Sequence, residues 1–262
     1  MMLQATKTSK LKFLVSATAC AALAVGATAC SGQSSDTGDT KSGTEKEQAF
    51  SGASPDQIAE KAVVATKKAQ SLRLATETNA GGKSVSADYL LDTKGSCQGT
   101  NTMQDAKAEM LRVGPDTFIK GNQAYWEAAA KRQGGDAKAQ KSAETFKDKW
   151  VKLPAAEAKA LQAGCDKDAI LAALDNDKSE RQGMSRGTDT QVQGKNTAVL
   201  SKKSAKGGTI TVYVAAEGEP YILKVDEKGA EGTSTTSFSD FDKPVNPQAP
   251  PAGEVIDAAK QQ

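Results

Sequence analysis

Two blocks of alternating polar and apolar residues, each divided by short turns, most constrain how this chain can fold. The first block covers residues 71–119 and the second covers residues 184–238. Side chains of a β-strand point alternately to its two faces, so this spacing predicts strands with one covered and one solvated face. Glycine-containing segments such as 80–83 and 217–220 separate the strands as hairpin turns. We therefore predict two antiparallel meanders.

Within the two blocks, the alternation defines the individual strands. In the second strand, for example, Val85, Tyr89 and Leu91 share one face, while Ser86 and Asp88 occupy the other. The strands are predicted over residues 71–79, 84–91, 96–103, 107–113, 117–119, 184–192, 196–201, 209–215, 221–226 and 233–238.

Helical patterns precede the first block and separate it from the second. Ser54 is a favourable N-cap residue followed by Pro55, and Ile58, Ala62 and Thr66 then recur at helical spacing. Between the blocks, helices are predicted over residues 127–132, 137–149, 155–163 and 166–174, with the segment 150–154 breaking the pattern. Because strands and helices occur in separate runs, the fold class is α+β.

The N-terminal thirty residues have the organisation of an export signal. Lys7, Lys10 and Lys12 precede an uncharged apolar run over residues 13–26, and the small residues 27–29 follow it directly before Cys30. The apolar run is too short to span a bilayer, and a cleavage site follows it, so a signal peptide is predicted rather than a membrane-spanning helix. The protein is therefore expected outside the cytoplasm.

Residues 27–30, Ala-Thr-Ala-Cys, resemble the lipobox of bacterial lipoproteins, in which the cysteine becomes the diacylated first residue. The resemblance implies that Cys30 carries the acyl chains that anchor the protein to the outer face of the cell membrane. Two or three chains would hold the protein there essentially permanently. The same residues also fit the Ala-x-Ala site of ordinary signal peptidase, which would release a soluble protein, and the sequence leaves this alternative open.

Cysteine and histidine content restrict the chemistry further. Once Cys30 is lipidated and Cys20 is removed with the signal, Cys97 and Cys165 remain as an even pair in an oxidising compartment. A disulfide between them is expected, with two buried free thiols as the alternative.

The chain has no histidine, which excludes Ser-His-Asp and Cys-His catalytic sites and histidine-ligated metals. We expect no cofactor, no metal and no enzymatic activity.

Charge and composition bear on the partners and on the flanking segments. With 34 basic and 32 acidic residues, the chain has no electrostatic basis for binding nucleic acid.

Residues 31–53 are polar and nearly free of apolar side chains, as is typical of a disordered tether. The expected organisation is a signal peptide (1–29), a lipidated cysteine with its tether (30–53), a folded domain (54–245) and a Pro- and Ala-rich tail (246–262). Apart from residues 255–256, the tail should pack little.

The folded domain resembles the LolA/LppX-like lipoproteins of bacteria. The resemblance depends on the lipoprotein signal, on one helix before a run of antiparallel strands, and on a helical insert bearing Trp126 and Trp150. Further similarity to this family lies in the segments 112–122, 149–154 and 211–221. This family implies a strongly curved antiparallel sheet, a half-barrel, with helices covering its concave side. Some members carry acylated lipids or lipoproteins in that apolar concavity.

If the sheet is curved and covered in this way, the apolar faces of the strands would line a cavity. Period-two spacing selects the candidate lining residues Leu72, Leu74, Val85, Tyr89, Leu91, Met110, Val212, Tyr221 and Leu223. The alternative is that the same side chains simply pack under the helices as core.

Two functional hypotheses follow. The first is a non-catalytic, membrane-anchored binder or carrier of an apolar ligand, a lipid or an acyl chain. The second is a structural or protein-interaction lipoprotein of the cell envelope with a filled core and no ligand. In both cases the expected membrane contact is through the acyl chains on Cys30, and the expected protein is a monomer.

Overall fold

One large curved sheet dominates the fold. A computed structural model describes residues 50–132, 134–135, 137–173, 181–204 and 207–261. The signal sequence, Cys30, nearly all of the predicted tether, and Leu174 at the end of the last predicted helix lie outside the described residues. Among the described residues, no helix has the length and hydropathy needed to cross a membrane.

The described residues contribute thirteen strands to the sheet. They are β1 (Ser71–Ala80), β2 (Lys83–Asp92), β3 (Cys97–Met103), β4 (Ala106–Val113), β5 (Asp116–Gly121), β6 (Trp150–Lys152), β7 (Ser185–Arg186), β8 (Thr190–Val192), β9 (Lys195–Lys203), β10 (Thr209–Ala215), β11 (Ile222–Gly229), β12 (Gly232–Ser239) and β13 (Val255–Asp257). The strand order is β13-β6-β5-β4-β3-β2-β1-β12-β11-β10-β9-β7, and β8 also pairs with β9.

Five α-helices lie in the described part of the chain. They are α1 (Pro55–Lys68), α2 (Gln123–Arg132), α3 (Ala137–Phe146), α4 (Ala155–Leu161) and α5 (Lys167–Ala173), and a short 3₁₀ helix (Gln162–Cys165) joins α4 to α5. The α+β half-barrel predicted from the sequence, with helices on the concave side, is confirmed.

The pairing of β1 divides the sheet into two arms. Leu74 of β1 lies opposite Tyr89 of β2 on one side and opposite Phe238 of β12 on the other. We call β1–β6 with β13 the first arm, and β7–β12 the second arm. Helices α2–α5 belong to the insert between the two blocks, whereas α1 precedes both.

Helix α1 begins at Ser54, as the sequence predicts, and packs on the second arm. Ser54 Oγ accepts a hydrogen bond from Gln57 N at 3.2 Å, and Gln57 Oε1 accepts one from Ser54 N at 2.9 Å, which forms a capping box. The apolar face of α1 is buried against β10 and β11. There, Thr66 Oγ1 accepts a buried hydrogen bond from the backbone N–H of Ile222 at 2.9 Å.

Four short strands differ from the sequence prediction. The segment 150–154, predicted only as a break between helices, supplies β6, which pairs with β5. β13 then adds to β6 in parallel, so the sheet is antiparallel except for this pair. The segment 184–192, predicted as one strand, forms the two strands β7 and β8. They are separated where Asp189 folds back to accept hydrogen bonds from Arg186 at 2.7 and 2.9 Å.

The predicted disulfide is present. Cys97 in β3 and Cys165 at the end of the 3₁₀ helix are bonded with their Cα atoms 5.5 Å apart, and both side chains are buried. The bridge closes a separation of 68 residues and joins the helical insert to the concave face of the first arm.

Candidate functional site

The strand register arranges the concave face of the first arm in rows across the sheet. One row contains Tyr89, Gly99, Met110 and Ile119, each directly opposite the next on neighbouring strands. The following row, nearer the β1–β2 hairpin, contains Asn101, Ala108 and Gly121. The first row is large except at Gly99, and the second row has two small residues, Ala108 and Gly121, beside Asn101.

A cavity of about 240 Å³ lies above these two rows. Helix α2 contributes Tyr125 to its wall, and α4 with the following 3₁₀ helix forms a roof. The lining residues are Tyr89, Asn101, Ala108, Met110, Ile119, Tyr125, Ala160, Leu161 and Gly164.

Two glycines let aromatic rings lie against the strands that form the floor. A Cβ atom added at Gly99 would lie 2.5 Å from Cδ1 of Tyr89, so the Tyr89 ring occupies the space over Gly99. A Cβ atom at Gly121 would collide with the Tyr125 ring and lie 3.0 Å from Nε1 of Trp126. A side chain larger than hydrogen at Gly121 would displace the Tyr125 ring, and one at Gly99 would collide with both the Asp88 backbone of β2 and the Tyr89 ring.

The polar groups of the cavity are uncharged. Asn101 Nδ2 donates a hydrogen bond to the Tyr89 hydroxyl oxygen at 3.0 Å. Burial raises the pKa of Tyr89, and the bond from Asn101 only partly opposes the rise. Burial also raises the pKa of Tyr125. Both phenols are therefore neutral at physiological pH, and none of the lining residues carries a charge.

The exposure of the concave face increases towards the hairpin end of the strands, and we take this end as the mouth of the cavity. Leu91 and Cys97, on the side of the disulfide, are fully buried. Two rows beyond Tyr89, Val85 and Met103 face each other across β2 and β3 and are 42% and 47% exposed. The concave face is therefore covered by helices at one end and bare at the other, and exposed apolar side chains continue outward from the mouth.

The nine residues predicted to line a cavity fall into distinct environments. Tyr89 and Met110 line the cavity, whereas Leu72, Leu91 and Leu223 are buried in the core. The others lie elsewhere: Leu74 and Val212 are half-buried against the core, Val85 is exposed, and Tyr221 stacks on Phe241 with a ring separation of 3.9 Å.

Sequence reasoning missed several lining residues. Asn101 reads as an ordinary polar strand residue, and Tyr125 lies just before the predicted helix 127–132. Of the residues of the roof, Ala160 and Leu161 belong to the predicted helix 155–163 and Gly164 follows it, and the sequence does not define which surface of this helix covers the sheet. A usable signal was present in Gly99 and Gly121, since a glycine inside a strand often marks close approach of another group.

Comparison with known proteins gives a likeness of fold. No protein family and no curated protein matches the sequence. The crystal structure of LprF from Mycobacterium bovis superposes with a TM-score of 0.50 and 17% identity, covering 75% of this chain and 96% of LprF. The Mycobacterium tuberculosis lipoprotein LppX superposes with a TM-score of 0.46 and 14% identity, covering 74% of this chain and 97% of LppX. Together with the curved sheet and its helical cover, the likeness to LprF confirms that this chain has a LolA/LppX-like fold.

Proposed function

We propose that this protein is a non-catalytic, membrane-anchored lipoprotein that binds an apolar ligand, a lipid or an acyl chain, in the cavity of the first arm. The observation that carries the proposal is an uncharged cavity, partly open to solvent, between the concave face and the roof formed by α4 and the 3₁₀ helix. Concave, mostly apolar sites with a few polar groups are typical of small-molecule binding.

The size of the cavity limits the ligand. A volume of about 240 Å³ lies just below the range of about 300–1,000 Å³ found for sites of drug-sized molecules. The cavity therefore encloses part of a single chain. The remainder of the ligand would lie across the bare end of the concave face, over Val85 and Met103, whose exposed side chains offer it apolar contact.

A chain-length series of fluorescent acyl probes tests the proposal. Each added methylene should strengthen binding by about 0.8 kcal/mol until the cavity is full, after which affinity should level off. Ala108→Leu would fill space above the floor and should weaken binding at least tenfold, or about 1.4 kcal/mol. Ala75→Leu, on the opposite face of β1, is the matched control and should bind like the unmodified protein. A folded domain that takes up no probe and releases no lipid on extraction would remove the proposal.

We further propose that Cys30 carries the membrane anchor. The support is the resemblance of residues 27–30 to a lipobox. In this proposal residues 1–29 are removed and residues 30–53 tether the domain (54–245) to the membrane. Residues 246–262 follow the domain, and within them residues 255–257 pair with β6 of the sheet. Cys30→Ser should shift the protein from the membrane fraction to the soluble fraction and abolish incorporation of labelled palmitate. Retention of residues 1–29 without an acyl group, seen by intact mass analysis, would contradict it.

A second candidate function is a structural or protein-interaction lipoprotein of the envelope. The observation that favours it is the complete burial of Leu72, Leu91 and Leu223, three residues predicted to line a cavity, which here serve as core. This function predicts a protein partner captured by crosslinking on intact cells and no effect of Ala108→Leu on that capture. An apolar ligand that co-purifies with the protein in stoichiometric amount would favour the ligand-binding function over this second candidate.

A further inference from the structure

The hydrogen-bonded pair Tyr89–Asn101 has a particular place in the cavity. Met110 and Ile119 share the row of the Tyr89 backbone, on the side of the disulfide. Asn101 lies one row nearer the mouth, and the Tyr89 hydroxyl reaches it at 3.0 Å. A chain entering from the mouth would thus place its apolar end on Met110 and Ile119 and its next polar group beside this pair.

The pair retains hydrogen-bonding capacity for a ligand. The Tyr89 oxygen accepts from Asn101, and among the described residues no acceptor receives the Tyr89 hydroxyl hydrogen. The second N–H of the Asn101 amide also has no partner among them. If the amide is turned over, Tyr89 donates to Asn101 Oδ1 and both N–H groups remain available. In either orientation the pair offers hydrogen-bond donors to an acceptor group of a ligand, and the Asn101 amide oxygen adds an acceptor site.

The electrostatic setting distinguishes between kinds of acceptor. None of the nine lining residues is a cation. Arg132 and Glu157 both act on Tyr125, and because their charges have opposite signs they shift its pKa in opposite directions. A buried carboxylate without a cation is strongly disfavoured, whereas a neutral carbonyl that accepts a hydrogen bond is tolerated.

We propose that Tyr89 and Asn101 are specificity-determining residues that select a ligand whose buried polar group is a neutral carbonyl, as in an ester or amide, and exclude a free carboxylate. This inference rests on the proposed function, because it concerns the same cavity. It adds the chemical class of the ligand's polar group and the two side chains that recognise it.

Three probes of equal, medium chain length test the inference by calorimetry: an alkane, a methyl ester and a carboxylic acid. At pH 7 the ester should bind about fivefold more tightly than the alkane. The acid should bind about 100-fold more weakly than the ester, because it must be protonated to enter. Its affinity should then rise about tenfold per pH unit as the pH falls towards 5, while the ester shows no such change.

Tyr89→Phe separates recognition from packing, since the ring over Gly99 is kept. The variant should reduce the advantage of the ester over the alkane, because the Tyr89 hydroxyl no longer donates and only the Asn101 amide remains. Tyr213→Phe, on the convex face of the second arm, is the control. Equal binding of acid and ester at pH 7, or an equal loss of all probes in Tyr89→Phe, would overturn the inference and leave the proposed function standing. If the unmodified protein binds none of the three probes, the proposed function fails, and this inference fails with it.

Discussion

The two arms of the sheet share one pattern of alternation and yet enclose different interiors. On the second arm, Leu200, Val214 and Phe238 are fully buried and belong to the core that fills the space under the helices. On the first arm, Leu72 and Leu91 are equally buried, but further along the same face the sheet carries Gly99, Ala108 and Gly121, and a cavity remains there. Alternation therefore decides which face is covered, while side-chain volume decides whether the covered space is core or cavity.

The covers of the two arms are also attached differently. Helix α1 buries six residues over the second arm and is fixed by the buried bond from Ile222 to Thr66. Helix α4, over the first arm, buries only Ala158, and the segment that follows it is tied to the sheet by the disulfide. The filled arm is held by packing, and the hollow arm depends on a covalent bond.

Removal of the disulfide should produce the largest effect. The variant Cys97→Ser/Cys165→Ser opens a loop of 68 residues, which lowers the free energy of unfolding by about 4 kcal/mol in the chain-entropy model. Hydrogen exchange should then show lost protection in α4 before α1, and the acyl probe should no longer bind. A loss of protection that is equal in α1 and α4 would show that the two covers are not held independently.

Truncation of one large residue in each arm should show the next largest difference. Leu200→Ala leaves a void in a filled core and should cost about 3 kcal/mol of stability. Met110→Ala enlarges a space that already exists and should cost less, about 1–2 kcal/mol, because fewer contacts are lost. Denaturant titration compares the two variants, and equal costs would contradict the distinction between a filled and a hollow arm.

Thr66→Val tests the polar attachment of α1. The substitution keeps the shape of the side chain but leaves the buried N–H of Ile222 unpaired, which should cost about 1–2 kcal/mol. Thr66→Ser retains the hydroxyl and is the matched control, although it also loses a methyl group. Binding of the acyl probe in the first arm should be unaffected in both variants. If Thr66→Val were as stable as the unmodified protein, packing alone would hold α1.

The raised pKa values of the tyrosines should have the smallest effect on stability. An alkaline titration that follows phenolate absorbance measures them. Burial and the hydrogen bond that Tyr221 donates to Asp242 raise the pKa of Tyr221 to about 12. The pKa values of Tyr89, Tyr125 and Tyr213 are also raised, with burial as the largest cause. Because the folded-state values lie above the unfolded value of about 10, the associated stability is complete below pH 10 and is lost as the pH rises towards 12.

Ligand binding should affect only part of that titration. A bound chain excludes water from the first-arm cavity, so the pKa values of Tyr89 and Tyr125 should rise further. Those of Tyr213 and Tyr221, in the second arm, should not change. The variants Tyr89→Phe and Tyr221→Phe each remove one phenol ionisation from the titration curve, which assigns that step to the substituted residue. A ligand-dependent shift of Tyr221 would place the binding site outside the cavity.

Local sequence features predicted most of the fold. The N-cap at Ser54 defined the start of α1, and alternation with glycine turns defined the hairpins from β1 to β5 and from β9 to β12. The three-residue strands β6 and β13 carry too few positions for a periodic pattern, and they form only because each finds a partner in the folded sheet.

The cavity was less predictable for a physical reason. Alternation assigned Val85 and Tyr89 correctly to one face, but it does not show where the helices stop covering that face, so one is exposed and the other lines the cavity. Tyr221 lies beside a bulge between β10 and β11 and packs on Phe241 instead. The volume of an interior space depends on both of the surfaces that enclose it, and the strand pattern describes only one.

The pairing of β1 with β12 has a consequence for how the domain is built. Leu74 meets Phe238 only after most of the chain has been synthesised, so β1 keeps one edge open while every earlier hairpin can already close. The domain cannot mature progressively from its N-terminus, and an incomplete chain presents an unsatisfied strand edge that invites aggregation. Molecules that stall before residue 232 should therefore aggregate more readily than molecules in which β1 has paired with β12.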